Sequence, residues 1–301
     1  KTIVELVWYD SDENYKYVLV GFNTGHIFLC DLNEQYPNII TQFDKYSGNL
    51  NKLIWLKNEP GSFISLYKGT SRIGVWNVSR KSYKKITKYS EYPIVNCVTF
   101  PDGKKLIMSL ENGEVQIYSL IHDKKFFEIS PGHSETIFDM KFSPFQYGIF
   151  ATCAYDGFIK IWDMTTDKVK VTLKINQPGE IEQNNVYKIY SLKWSPNEKE
   201  LLLTGDSQSN LRLWDVEKQK LNLSFCLSSE NKGEVIGIDW NYENYIVATL
   251  INCVYICSYE GKRILLENTI RTDTKLFQVK FSLHDKLNFA VACEDSLIRI
   301  Y

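Results

Sequence analysis

Histidine is scarce in this chain, at 4 of 301 residues, and methionine scarcer, at 3. So few imidazoles leave little ligand supply for a zinc site. The seven cysteines do not make up the shortage. Cys30, Cys97, Cys153, Cys226, Cys253, Cys257 and Cys293 are odd in number, lie in apolar stretches and form no CxxC pair. They read as free thiols acting as small core residues in a reducing compartment, and the expected location is the cytoplasm. An excess of one charge is also missing, since 35 Lys and Arg face 36 Asp and Glu for a net charge of -1. A chain that neutralised phosphates along a strand would need a basic excess, so no nucleic-acid partner is expected. No uncharged apolar run approaches about 18 residues, so no helical membrane insertion is expected. No leader pattern opens the chain. Residue 1 is Lys rather than Met, and the chain is expected to be a piece of a longer protein.

Motifs of chemistry are absent as well. There is no GxxxxGK[ST], GxSxG or HExxH, and no GxGxxG after a strand. No cofactor and no catalytic residue are expected. Asp102 and Asp156 read as turn residues, and Asp163 and Asp215 as strand-end residues bonding nearby backbone or Arg. No window offers an amphipathic helix of three turns.

What the chain has instead is repetition. Short apolar runs such as Ile159-Lys160-Ile161-Trp162-Asp163 and Leu211-Arg212-Leu213-Trp214-Asp215 recur, their fourth residues falling at 30, 76, 118, 162, 214, 257 and 301. A second series of runs ends in Trp8, Trp55, Phe100, Phe142, Trp194, Trp240 and Phe281. Between them lies a third run, such as 106–108 or 201–203. All are rich in Val, Ile, Phe, Tyr and Trp, alternate at period two, and stop at Gly, Asn or Asp, which is the signature of strands and hairpins. A fourth, weaker strand such as 168–175 completes each unit of about 43 residues. Four-stranded units at that spacing point to propeller blades, each covering its neighbour's apolar face. The expected fold is an all-β, seven-bladed β-propeller forming one domain over residues 1–301. Its last blade lacks an outer strand in this chain, and a strand before Lys1 or after Tyr301 is expected to complete it.

The fourth unit reads Gly132-His133, then Ile137 to Pro144, then Ala151-Thr152, Tyr155-Asp156-Gly157 and Ile161-Trp162-Asp163. It resembles the WD40 repeat. The fifth matches through Trp194-Ser195-Pro196 and Trp214-Asp215, and the other five match in spacing and apolar pattern. The resemblance implies a structural polar network in unit four, with His133 on Asp156 and Thr152 linking His133 to the Trp162 indole. Unit five departs from the pattern, with Gln208 and Asn185 where Asp and His would stand. It is therefore expected to lean on apolar packing. Gly25-His26 lies in a hairpin turn and is a decoy for the Gly-His pair. A narrower likeness rests on 132–139, 156–163 and Cys293-Glu294-Asp295-Ser296, shared with long WD-repeat proteins whose propeller units are followed by further sequence.

The resemblance also places partner contacts. They cluster four and six residues before the strand-ending aromatic, and one before the turn Asp. The first rule gives Val4, Asn51, Asn96, Phe138, Tyr190, Ile236 and Phe277. The second gives Thr2, Asn49, Ile94, Thr136, Lys188, Glu234 and Lys275. The third gives Asn23, Gly69, Glu111, Tyr155, Ser207, Leu250 and Glu294. Aromatic residues bury much area at small entropic cost. Phe138, Tyr155, Tyr190 and Phe277, with Lys188, Lys275, Thr136 and Glu294, are the expected partner-binding set, and Tyr155 is expected to be exposed. The polar stretch 176–185 is expected to be a loop on the same face, and the basic run 80–88 a solvated outer strand. The expected partner is a protein or peptide segment docked on the narrow face. The alternative is an architectural role in a larger multi-subunit transport or coat-like assembly, through blade edges. An enzyme ranks third.

Overall fold

A computed structural model describes residues 3–9, 17–31, 38–43, 48–56, 59–80, 82–87, 92–120, 124–129, 132–175, 187–230, 232–282, 287–295 and 297–301. Among these residues every regular element is a strand, and the strands form seven antiparallel sheets, six of four strands and one of three. Each sheet is one sequence unit laid out in chain order, so that hairpins do all the connecting within it. The innermost strands are Ile3–Trp8, Leu50–Trp55, Ile94–Thr99, Ile137–Phe142, Ile189–Trp194, Val235–Trp240 and Leu276–Phe281. Six of them end in the aromatic residue of the repeat, and Phe100 follows its strand by one residue. The sheets are numbered here as blades one to seven. Blade seven holds three strands among the described residues, its last being Ile298–Ile300. Residues 176–185 lie outside the described residues. The basic run contains the outermost strand of blade two, Ser82–Thr87.

The core sits between the sheets. Leu203, Leu211 and Leu213 of blade five pack against Val235, Ile238 and Tyr255 of blade six. Ile3, Leu6, Val18 and Val20 of blade one pack against Ala290 and Ala292 of blade seven, which closes the ring. Burying one such aliphatic side chain is worth about 1.5–3 kcal/mol. A single blade leaves both faces wet, so the stability resides in the junctions. Five cysteines are buried among these contacts; Cys226 is exposed and Cys253 half-buried, so those two are not core residues as expected.

Every junction also carries a polar staple from an inner strand. The Trp55 indole donates to Val7 O at 3.3 Å, and Asn51 Nδ2 donates to Val95 O. Asn96 Nδ2 donates to Phe138 O at 2.8 Å, and the Trp194 indole to Lys141 O at 3.0 Å. Ser191 Oγ donates to Val235 O at 2.7 Å, and Phe281 N to Asp239 Oδ2 at 2.8 Å. The last staple joins the two ends of the chain, with Leu6 N donating to Gln278 Oε1 at 3.2 Å. Polar side chains on the inner strands thus satisfy groups that a neighbouring sheet would otherwise bury unpaired.

Candidate partner-binding face

The pairing of each innermost strand slips by one residue after its first pair. The skipped residues are Val4, Asn51, Val95, Phe138, Tyr190, Ile236 and Phe277. A bulge re-aims its extra side chain out of the pleat. Here it leaves the second residue of all seven strands at one end of a central channel. The counting rule found six of these positions. It missed blade three because Phe100 lies one residue beyond its strand. Val95, not Asn96, is the bulged residue there, and Pro93 stands where Ile94 was expected.

Backbone bonds fix the neighbouring positions. In blades two, three, four, five and seven the residue after the second strand donates its N–H to the residue two before the bulge. Tyr155 bonds Thr136 O at 3.0 Å, Ser207 bonds Lys188 O at 2.9 Å, and Glu294 bonds Lys275 O at 2.8 Å. In blade two this bond is Lys68 N to Asn49 O, so Lys68 rather than Gly69 holds the turn position. In blade six the second strand ends at Leu250, so Ile251 holds it.

Four of the expected residues come together, three rings and a cation. The ring of Phe138 lies 4.5 Å from that of Tyr155 and 4.7 Å from that of Tyr190, and the two tyrosine rings are 5.9 Å apart. Lys188 places its ammonium 4.1 Å over the Tyr155 ring, a cation–π contact. Tyr190 donates its hydroxyl to Glu234 Oε1 at 2.6 Å. Burial and that carboxylate hold the Tyr190 phenol well above its ordinary range. Tyr155 is half-buried rather than exposed as expected, because Phe138, Tyr190 and Lys188 cover it. Phe277 lies on blade seven, lining the channel, as does exposed Glu294. Lys275 is exposed, and Thr136 Oγ1 is turned back onto Glu111 O at 3.0 Å. The result is a half-buried aromatic platform spanning blades four and five, edged by a cation and an acid.

Below the platform, blade four holds a continuous donor chain. The Trp162 indole donates to Thr152 Oγ1 at 2.8 Å, and Thr152 Oγ1 lies 2.7 Å from His133 Nε2. His133 Nδ1 lies 2.9 Å from Asp156 Oδ2. Burial holds the imidazole below its ordinary pKa, so it is neutral. A neutral ring that donates from Nδ1 to the carboxylate must accept at Nε2, and the threonine hydroxyl supplies that proton. Asp156 also accepts from the N–H groups of Ser134 and Phe158. Its carboxyl lies below the ordinary range because its hydrogen bonds to His133, Phe158 and Ser134 outweigh the opposing effect of burial. Every member is spent on another member, which is the behaviour of a strut. The preceding glycine has a steric reason. A Cβ on Gly132 would lie 2.2 Å from Gly113 O, where the chain crosses the blade-three turn.

Blade five departs from the expected dependence on apolar packing. The Trp214 indole still donates to Thr204 Oγ1, at 3.0 Å. In place of His and Asp, Arg212 Nε donates to Asp206 Oδ2 at 3.0 Å, with both side chains buried. Asp206 also accepts from the N–H groups of Gln208 and Asn210. The signal was an Asp two residues before Gln208, on the strand rather than in the turn, and an Arg two before the Trp.

The third and fifth residues of each inner strand line the channel, which has a volume of 1470 Å3. Charged residues at these positions are Glu5, Lys52, Asp139, Lys141, Lys193, Asp239 and Lys280. Lys141 pairs with Asp139, and Lys193 Nζ meets Asp239 Oδ1 at 2.6 Å. Among the described residues no group of three or more His, Cys, Asp or Glu is placed to hold a metal ion, and no helix is long and apolar enough to cross a membrane.

Seven antiparallel blades closed around a channel define the chain as a seven-bladed β-propeller. The family model "WD domain, G-beta repeat" matches residues 124–163 and 179–215, which hold the outermost strand of blade three with the first three strands of blade four, and blade five up to its Trp-Asp. The chain is similar to GATOR2 complex protein WDR24 of Danio rerio, at 25% identity over 80% of this chain and 30% of that protein. The human protein of that name gives 21% identity over 79% and 29%. WD repeat-containing protein 1 of Mus musculus gives 23% identity over 78% and 37%. The chain thus spans about a third of the length of these curated relatives. The repeat marks of blades four and five, the family match over them and this ring support a WD40-repeat β-propeller.

Proposed function

We propose that the chain is a noncatalytic scaffold that docks a protein or peptide segment on the narrow face of the propeller. The observation that carries this reading is the cluster of Phe138, Tyr155 and Tyr190 at the channel mouth, with Lys188 on one ring. Half-buried aromatics on a stiff scaffold gain contact area without losing many rotamers, which is the property of binding hot spots. Phe277, Lys275, Thr136 and Glu294 supply the remaining contacts across the mouth. Cytoplasmic location and a chain of one domain within a longer protein accompany this reading. So does the narrower resemblance, which is to WD repeat-containing protein seventeen.

The test is affinity capture from cell extract with the chain and with its F138A/Y155A/Y190A variant. The same partner should be lost from the variant while circular dichroism stays unchanged. Equal capture by a folded variant rejects the reading. A second reading, an architectural subunit contacting through blade edges, is favoured by exposed Ile39 and Ile40 on the outermost strand of blade one. The relatives named for a GATOR2 complex also support it. Cross-links concentrated on strand 38–43 rather than on the mouth would select this second reading.

A further inference from the structure

The interior of the channel holds charge that the docking face does not use. Lys52, Lys141, Lys193 and Lys280 face Glu5, Asp139 and Asp239 across it. Asp139 and Asp239 are each satisfied by their own lysine and by backbone N–H groups, those of Met140 and Leu192 for Asp139 and of Phe281 for Asp239. Glu5 accepts from Gln278 Nε2 at 3.1 Å. Lys52 reaches only a neutral partner, the amide oxygen of Asn96. Lys280 makes no ion pair or side-chain hydrogen bond among the described residues. Four ammoniums against three carboxylates leave one positive charge over. Two ammoniums, Lys52 and Lys280, have no carboxylate of their own.

We propose that the channel binds a free, multiply charged oxyanion of the phosphate class, held by Lys280, Lys52 and Lys141. A partly desolvated site strengthens such charge pairing relative to bulk water. An oxyanion also accepts several ammonium donors at once. The titration of the channel is mixed, since Asp239, Asp139 and Glu5 hold the Lys280 ammonium above its ordinary value against burial, while Lys141 is depressed. Burial pushes the Lys141 ammonium down to about 8, and Lys52 and Lys280 push it further in the same direction against the pull of Asp139. Burial raises the Glu5 carboxyl against the opposing pull of Lys52, Gln278 and Lys280. Depth distinguishes a free anion from a partner's side chain. Lys141 and Lys280 stand three strand residues below Phe138 and Phe277 at the mouth, about 10 Å at the rise of a strand.

The experiment titrates the full chain with inorganic phosphate at constant ionic strength, chloride replacing phosphate in the control. The readout is the side-chain carbon resonances of isotope-labelled lysines. Saturable shifts of Lys52, Lys141 and Lys280 are expected. Lys280→Met should weaken binding at least tenfold, while Lys199→Met, on the outer surface, should leave it unchanged. F138A/Y155A/Y190A should bind phosphate like the parent chain, which separates this site from the docking face. The absence of saturation, or K280M binding phosphate like the parent, overturns the proposal. Should K280M not fold, the parent's resonances decide. Shifts spread over surface lysines would then reject the channel site.

Discussion

Blades four and five solve the same problem with different chemistry. Both hang a buried Trp indole on a Thr hydroxyl, Trp162 on Thr152 and Trp214 on Thr204. In blade four the hydroxyl donates to a neutral imidazole, which donates in turn to Asp156, so four side chains form one chain of hydrogen bonds. In blade five the hydroxyl turns to Arg212 O at 3.4 Å, and a separate Arg212–Asp206 ion pair secures the turn. The first is a relay of neutral groups with one carboxylate; the second is a permanent ion pair beside a shorter link. A relay depends on each member's protonation, whereas a guanidinium holds its charge at all working pH values. One blade architecture therefore tolerates two networks with different sensitivities.

The largest effect is expected in blade five. Asp206→Ala leaves the buried Arg212 guanidinium without its carboxylate and strips two backbone N–H groups of their acceptor. Removing one partner of a buried pair costs about 3–5 kcal/mol. Chemical denaturation of the variant should show a midpoint shift of that size. A loss below about 1 kcal/mol would mean that solvent takes over the site, and the contrast between the blades would collapse. Next comes the matched pair Thr152→Val and Thr204→Val. Both lose a long hydroxyl bond to a strand carbonyl, Lys160 O or Arg212 O; beyond that the first orphans the Trp162 indole and His133 Nε2, and the second the Trp214 indole. Each buried group left unpaired costs about 1–3 kcal/mol, so T152V should exceed T204V by about that amount in the same assay. Equal losses would show that the relay is no more than the sum of separate bonds.

Much of this was legible in the sequence, for reasons that differ by element. The seven sheets follow from spacing, because a strand pattern repeated every 40-odd residues has few other ways to cover its faces. The His133 network followed from the family resemblance, since all four of its residues stand in the pattern. Asp206 was overlooked because it sits two residues from the slot the pattern reserves. The ion pair it makes depends on a side chain crossing to the next strand. The bulges at Phe138 and Tyr190 leave no mark on composition, and a one-residue slip is visible only in pairing. That is why Val95 was mistaken for Asn96. Nothing in the sequence separates the channel lysines from the wet face of an ordinary amphipathic strand. Only closure of the ring turns that face inward.

Acid should separate the two blades by a smaller margin. Burial depresses the His133 pKa in the folded chain below its unfolded value near 6.5. The unfolded chain then binds the proton first as pH falls. The stability tied to neutral His133 is complete above pH 6.5 and is lost progressively below it. For one fully excluded proton, the loss between about pH 7.5 and 5.5 is up to about 1.4 kcal/mol. Asp156, also depressed, adds a loss of the same sign only at lower pH. Denaturation midpoints measured across the His133 window should fall for the parent chain, and the fall should flatten in His133→Asn. A variant with the parent's full slope would assign the pH dependence elsewhere.

The smallest effect tests where the difference between the blades ends. The Asp that follows each Trp works in both blades as a turn acceptor. Asp163 takes the N–H and hydroxyl of Thr165, and Asp215 takes the N–H and ammonium of Lys218. Lys218 is 69% exposed, and water screens its pairing with Asp215 and competes for its ammonium. The backbone N–H bond survives in Lys218→Met. That variant should leave the denaturation midpoint within measurement scatter at both low and high salt. A clear, salt-dependent loss would extend blade five's reliance on ion pairs from its buried Arg212 to its rim. The two blades would then differ in surface electrostatics and not only in the groups beneath their turns.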